Sequence, residues 1–142
     1  MAKRIDLAEL RTAIRGAELR ATPSRIAVLA LVRQCEQPIS HGDVANKLAD
    51  QVWDRATIYR NLTDLADAGL LRRSDLGDHV WRFEAVDNAH DDADPHPHFV
   101  CTECGIVECL PEAQLAVPRR APRAMKQQKI EIHVRGLCDI CL

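Results

Sequence analysis

Apolar residues in the first half of the chain recur at the three- and four-residue spacing of amphipathic helices. We predict four helices there, at about residues 5–19, 23–34, 40–48 and 54–68. Thr22 (before a proline), Ser40 and Asp54 are of the types that cap helix N-termini. Gly69 is of the type that ends a helix, and the pattern changes period directly after it.

Two short strands follow at residues 70–74 and 79–84, with a glycine-containing hairpin turn at residues 75–78. A set of helices, the last two close together, followed by a hairpin is typical of a winged helix-turn-helix. The pattern therefore predicts a winged-helix DNA-binding domain over residues 1–85.

The second half begins with an acidic, histidine-bearing stretch that has almost no large apolar side chains. Three strands are predicted beyond it, at residues 99–101, 106–110 and 129–135, with a loop or at most a short helix before the last one. The predicted fold class is α+β. Its parts are the winged-helix domain (1–85), a hinge and metal-binding loop (86–97) and a small α/β domain (98–142).

Composition excludes several classes of protein but does not identify the function. The 142 residues are 46% hydrophobic, which is typical of a folded protein, and no apolar run approaches the ~20 residues that cross a bilayer. The first ten residues lack the apolar core of a secretion signal, so we expect a cytoplasmic protein without membrane partners. A net charge of −2 excludes a polyanion-coating protein but permits a DNA binder with one basic face.

Four of the six cysteines form two CxxC pairs, and a reducing compartment favours metal ligation over disulfides. Two CxxC turns supply a tetrahedral thiolate shell for Zn(II). A thioredoxin-like redox pair would occur once, and a zinc deaminase would need a proline before the pair and an H-x-E motif, which is absent. We therefore predict that a structural zinc stabilises the small second half. Its predicted ligands are Cys101, Cys104, Cys138 and Cys141.

Histidines and carboxylates are concentrated around the first CxxC pair. They are Glu84, Asp87, His90, Asp91, Asp92, Asp94, His96, His98 and Glu108. His96 and His98 lie on the same side of an extended strand, and with carboxylates they could bind Fe(II), Mn(II), Zn(II) or Ni(II). The alternative is a solvated acidic loop with incidental histidines.

The fourth predicted helix opens with groups that can reach phosphates and base edges. These are Arg55, Thr57, Tyr59, Arg60 and Asn61. Arg72 and Arg73 head the predicted wing, and Arg20, Thr22 and Arg25 lie near the start of the second helix. Together they predict a basic face for double-stranded DNA, with a solvated helix surface as the alternative.

Several separated motifs resemble the ferric uptake regulator family. They are Leu19–Leu29 (LRATPSRIAVL), Ala56–Leu62 (ATIYRNL), Ala68–Leu70, His98–Gly105 (HFVCTECG) and Gly136–Cys141 (GLCDIC). The resemblance spans nearly the whole chain. It implies a homodimer with winged-helix domains and α/β dimerisation domains, which binds operator DNA when a regulatory metal occupies the interdomain hinge. It also implies a second, structural zinc held by four cysteines.

The resemblance also implies site residues. The four cysteines of the CxxC pairs match the structural zinc ligands. The regulatory ligands implied are Glu84, His96, His98 and, after a one-residue deletion, Glu108. Tyr59 and Arg60 match recognition-helix contacts to DNA, and Arg20 matches a backbone contact.

The sequence departs from the family pattern at the regulatory site. Iron- and peroxide-sensing members usually have a histidine where this chain has Pro38. The candidates to replace it are His41, His79, His90 and Cys109, and the alternative is a four-coordinate site without a replacement. We interpret Cys109 as core, with a metal ligand or a redox thiol as the alternatives, and Cys35 as helix core. The helix and histidine that usually precede the last strand are replaced by PRRAPRAMKQQK, so a further regulatory site there is not expected.

The predicted function is a metal-responsive, DNA-binding transcriptional repressor, neither an enzyme nor a binder of a small-molecule substrate. The alternatives are a peroxide or redox sensor, a metal-independent winged-helix regulator with only structural zinc, and a zinc enzyme. The last would need an open coordination position, which a shell of four cysteines does not offer.

Overall fold

A computed structural model describes residues 4–86, 96–127 and 130–142. The chain divides into two compact units, Met1–Asn88 and Ala89–Leu142, with mixed helix and sheet content. None of the helices in the described ranges is long and apolar enough to span a membrane.

The first unit is built on four helices, each with a side-chain N-cap. Their bounds are Leu7–Gly16 (α1), Pro23–Gln34 (α2), His41–Lys47 (α3) and Arg55–Asp67 (α4). The predicted caps are confirmed: Thr22, Ser40 and Asp54 accept hydrogen bonds from backbone N–H groups three residues on. These bonds satisfy N–H groups that would otherwise lack partners at each helix start. Gly69 follows α4 with a φ of +82°, as predicted for a helix stop.

One apolar cluster fills the interior of the first unit. Its fourteen buried members are Leu10, Ile14, Ile26, Val28, Leu29, Val32, Ile39, Val44, Ala45, Ile58, Leu62, Leu65, Leu71 and Phe83. Cys35 packs against this cluster and its thiol donates to the Leu31 carbonyl, which confirms its interpretation as helix core. Every element of this unit contributes to the cluster, so the four helices and the hairpin are held as one body.

A three-stranded antiparallel sheet completes the first unit. Its strands are Ile39–Ser40 (β1), Leu71–Asp75 (β2) and Trp81–Ala85 (β3), in the order β1-β3-β2. The wing is a longer loop than predicted, because the pair Asp75 and Trp81 closes the hairpin. The Asp75 side chain accepts from the N–H groups of Gly77 and His79, at 2.9 and 3.1 Å, and so orders residues that the sequence pattern assigned to a tight turn and a strand.

The second unit contains another three-stranded sheet. Its strands are His98–Cys101 (β4), Val107–Cys109 (β5) and His133–Gly136 (β6), in the order β5-β4-β6. β4 pairs antiparallel with β5 and parallel with β6. A single helical turn, Arg123–Lys126 (α5), precedes β6, in agreement with the short helix allowed by the sequence. The final strand begins later than predicted, at His133, and Lys129 lies outside the described residues.

Candidate metal centres and nucleic-acid interface

Four cysteines from three parts of the second unit converge in one cluster. Cys101 ends β4, Cys104 lies in the turn that follows it, and Cys138 and Cys141 lie in the turn after β6. Their ligand atoms all lie within 4.8 Å of one another, with Cys104 Sγ and Cys138 Sγ 3.7 Å apart. The parallel pairing of β4 with β6, which sets Cys101 opposite Gly136, brings the two CxxC turns together.

Backbone N–H groups in this cluster stabilise negative charge on the Cys101 sulfur. The N–H groups of Cys104 and Cys138 donate to the Cys101 sulfur and lower the pKa of that thiol to about 6. By contrast, the Cys141 thiol donates hydrogen bonds to the sulfurs of Cys138 and Cys104, which favours its protonated form and raises the pKa of Cys141 to about 12. Four thiolates this close repel one another, so full ionisation of the set requires a bound cation.

Zn(II) fits this cluster in donor type, donor number and spacing. Four thiolates at about 2.3 Å from one ion form the closed tetrahedral shell of structural zinc sites. Such a shell has no open position for a substrate or a reactive water. The cluster therefore connects the end of β4 to the end of the chain after β6.

A second candidate metal group lies at the start of the same sheet. His96, His98 and Cys109 offer ligand atoms within 4.8 Å of one another, and all three residues are half-buried. The two imidazole rings lie 4.6 Å apart between centroids. The structure thus brings the predicted histidine pair together. Cys109, which the sequence analysis interprets as core, lies beside the pair.

Glu108 does not join this group. It pairs with Phe99 across β4 and β5, whereas Cys109 pairs with His98. Since side chains alternate between the faces of a strand, Glu108 and His98 belong to opposite faces. Glu108 is also exposed, so its role as a ligand stays a prediction.

Other predicted regulatory residues lie in the first unit. Glu84 on β3 pairs with Arg72 on β2, with Nη1 to Oε1 at 3.7 Å. His41 Nε2 lies 3.0 Å from the Arg55 carbonyl oxygen, and His79 lies in the wing loop with its side chain 96% exposed. The predicted candidates Asp87, His90, Asp91, Asp92 and Asp94 lie outside the described residues.

The candidate DNA-binding surface is the N-terminal half of α4. Tyr59 and Arg60 are exposed there and Thr57 is half-exposed, while Ile58 and Asn61 are buried. The His41 ring meets the Tyr59 ring edge-on, with centroids 5.3 Å apart. This contact supports the position of Tyr59, a role for His41 that the sequence alone did not indicate.

The arginines of the predicted basic face differ in whether neighbouring groups hold their side chains or leave them exposed. Arg25 bonds to Asp64 at 2.7 Å and to the Arg20 carbonyl oxygen at 2.7 Å, so it holds α2 against α4 and orders the backbone at Arg20. Arg73 stacks on Trp81 in the wing, 4.7 Å from the ring centroid. Arg20 and Arg60 are exposed.

Comparison with known proteins identifies the family. Residues 16–136 match the model of the ferric uptake regulator family. The chain belongs to this family. It is 30% identical over 131 residues to a ferric uptake regulation protein of Cupriavidus metallidurans, covering 87% of this chain and 88% of that protein.

Two further relatives show the range of the family. A peroxide-responsive repressor of Staphylococcus aureus is 27% identical over 141 residues, covering 96% of this chain and 91% of that protein. The ferric uptake regulator structure from Vibrio cholerae has a TM-score of 0.68 at 25% identity, covering 90% of this chain and 98% of that one. Family membership makes this protein a metal-responsive transcription regulator of α+β fold with a zinc site.

Proposed function

We propose that this family member is a cytoplasmic repressor that binds double-stranded operator DNA as a homodimer when a regulatory metal ion is bound at the hinge. The observation that carries the proposal is the pair His96 and His98, whose rings lie 4.6 Å apart. In the sequence, Glu84 and His96 flank the connection formed by residues 87–95, within which the boundary between the two units falls. One ion bound by Glu84 and the histidine pair would cross-link the chain on both sides of this connection.

The distribution of exposed groups supports a DNA-binding role for the first unit. Tyr59 and Arg60 stand out from a helix whose other face is fixed in the core by Ile58, Leu62 and Leu65. A rigid helix with exposed donors at its N-terminal end suits readout of the major groove. Arg20, whose carbonyl is held by Arg25, is suited to a phosphate contact.

Unburied apolar side chains support a homodimer formed by the second unit. Val134 on β6 is 40% exposed, and Ile106, Leu115, Val117, Leu137, Ile140 and Leu142 are also exposed. A single copy leaves this apolar area in water, and a second copy would cover part of it. Two recognition helices on one dimer could then meet successive major grooves, about 34 Å apart.

The proposed control is a shift between arrangements of the two units. The metal ion favours the arrangement that fits DNA because it binds that arrangement more tightly than the others. Couplings of this kind typically change affinity by roughly 5–150-fold.

The test uses a His96→Ala/His98→Ala double variant and a control with two exposed substitutions in the same unit, Glu112→Ala/Gln114→Ala. DNA for the assay is a duplex selected by the metal-loaded protein from a random pool. We expect the histidine variant to remain dimeric with one zinc per chain and to lose the gain in DNA affinity on adding metal. The control should keep that gain. A metal-dependent gain that survives in the histidine variant would overturn the proposal.

Peroxide sensing is a second candidate, because one relative is named a peroxide-responsive repressor and a thiol lies beside the histidine pair. If this candidate is correct, hydrogen peroxide abolishes DNA binding of the iron-loaded protein and spares the manganese-loaded one. Equal sensitivity of the two forms, matched by loss of the effect in a cysteine variant, would instead indicate oxidation of a thiol.

A further inference from the structure

On β5, one of the two strands beside β4, the residue opposite His98 is a cysteine. Cys109 on β5 and His98 on β4 form a cross-strand pair, and paired residues project from the same face of a sheet. His96 lies just before this strand, and its ring lies 4.6 Å from the His98 ring between centroids. Strand pairing and this ring contact together set two imidazoles and one sulfur side by side.

The Cys109 thiol is also separate from the four-cysteine cluster. Cys101, which belongs to that cluster, alternates with His98 along β4 and so faces the other side of the sheet. The ligand atoms of His96, His98 and Cys109 lie within 4.8 Å of one another, which is within the reach of a single ion after small side-chain adjustments.

We propose that Cys109 is a thiolate ligand of the same ion as His96 and His98, and that this sulfur makes the regulatory site selective for Zn(II) over Fe(II) and Mn(II). The inference rests on the proposed function in that it concerns the regulatory ion of that site. Thiolate ligands favour Zn(II), whereas carboxylate and water ligands suit Mn(II) and similar hard ions. Zn(II) also stands above Fe(II) and Mn(II) in general affinity for nitrogen and sulfur donors.

Cys109 thus takes the place beside His98 that the resemblance assigned to the carboxylate of Glu108. Its sulfur adds a third type of donor to the nitrogen and oxygen donors of the proposed site. On binding, the Cys109 thiol loses its proton to solvent and its sulfur donates an electron pair to the ion, with no change in oxidation state.

Cobalt substitution tests the ligand directly and needs no DNA. The protein is purified with one zinc per chain retained in the four-cysteine cluster and is then titrated with Co(II). We expect a sulfur-to-cobalt charge-transfer band in the near ultraviolet from the second ion. The band should be absent in Cys109→Ser and present in Cys35→Ser, the matched control thiol. A second-ion spectrum without this band in the unsubstituted protein, or with an equal band in Cys109→Ser, would overturn the proposal.

Selectivity is measured by competition between Zn(II) and Mn(II) for the second site. Cys109→Ser should weaken Zn(II) binding by more than the roughly 10–100-fold typical of losing an outer hydrogen-bond partner of a ligand. Cys109→Asp should recover Mn(II) binding relative to Zn(II). Unchanged Zn(II) affinity and an unchanged Zn(II)-to-Mn(II) ratio in both variants would contradict the assignment.

Alkylation keeps the proposal testable if a variant folds poorly. In the unsubstituted protein, added Zn(II) should protect Cys109 from iodoacetamide, measured by mass spectrometry, and protection should be lost in His96→Ala/His98→Ala. Equal labelling of Cys109 with and without Zn(II) would overturn the proposal. The proposed function fails separately, if DNA affinity does not respond to metal while cobalt still shows the thiolate band.

Discussion

The two units of this chain bury apolar surface to very different degrees. The first unit encloses a cluster of fourteen buried apolar residues drawn from all of its helices and strands. In the described part of the second unit, by contrast, the buried apolar residues are Pro97, Val100, Cys101 and Val107, and the four-cysteine cluster lies where β4 and β6 end. The comparison indicates that the first unit is held by its core, whereas the second has little core of its own and suits stabilisation by zinc and by the partner copy that we propose.

The largest expected effect of this difference comes from removing zinc. Cys138→Ser should leave the second unit unfolded, because structural zinc contributes roughly 10–16 kcal/mol in small domains. Amide protons of β4 and β6 should lose protection from hydrogen exchange, while those of α2 and α4 keep it. Cys35→Ser is the matched control. Equal loss of protection in both units would contradict the inference that the core stabilises the first unit and zinc stabilises the second.

A smaller effect is expected from a cavity in the core of the first unit. Leu62 is fully buried, and Leu62→Ala should lower the free energy of unfolding of that unit by about 2–5 kcal/mol. The zinc content should stay at one per chain, and Val52→Ala, at a position 95% exposed, should have little effect. A change no larger than that of the control in chemical denaturation would contradict the role assigned to this core.

The smallest effect concerns the wing loop. Asp78 accepts hydrogen bonds from Arg82 at 2.9 and 2.8 Å, and the pKa of the Asp78 carboxyl is lowered mainly by this guanidinium. Asp78→Asn leaves the buried Arg82 charge without its counter-ion and should cost about 1.5–3 kcal/mol. Asp67→Asn, at an exposed position on α4, is the control.

The pH dependence follows from the direction of that shift. A lowered pKa means that the folded state favours the charged carboxylate, so this stabilisation is complete above the usual carboxyl pKa. It is lost as pH falls through the lowered value. Denaturation curves of Asp78→Asn should therefore converge with those of the unsubstituted protein in acid. A gap of constant size down to low pH would contradict this account.

Local signals in the sequence predicted much of the first unit. The caps Thr22, Ser40 and Asp54 and the stop at Gly69 act through neighbouring backbone groups, so a short stretch of sequence is sufficient to identify them. The length of the wing was not predicted, because Asp75 orders it through side-chain bonds to N–H groups of a loop without a simple period.

In the second metal group, the sequence predicted the two histidines but not the third donor beside them. The histidine pair was predicted from its alternation, but its third neighbour depends on the register of β5 against β4. Alignment to the family motif with a one-residue deletion selected Glu108. The observed register instead sets Cys109 opposite His98. A shift of one residue exchanges the faces of a strand, so the donor beside the histidines changes from oxygen to sulfur. Counting on from Cys104 without the deletion would have pointed to Cys109.

The central claim is that a metal ion at the histidine pair controls DNA binding. The most direct measurement is the affinity of the protein for its selected duplex during a titration with metal, after a mild chelator has left only the four-cysteine zinc. We predict that the affinity rises by roughly 5–150-fold as one further ion per chain binds. The same affinity with and without that ion would contradict the account.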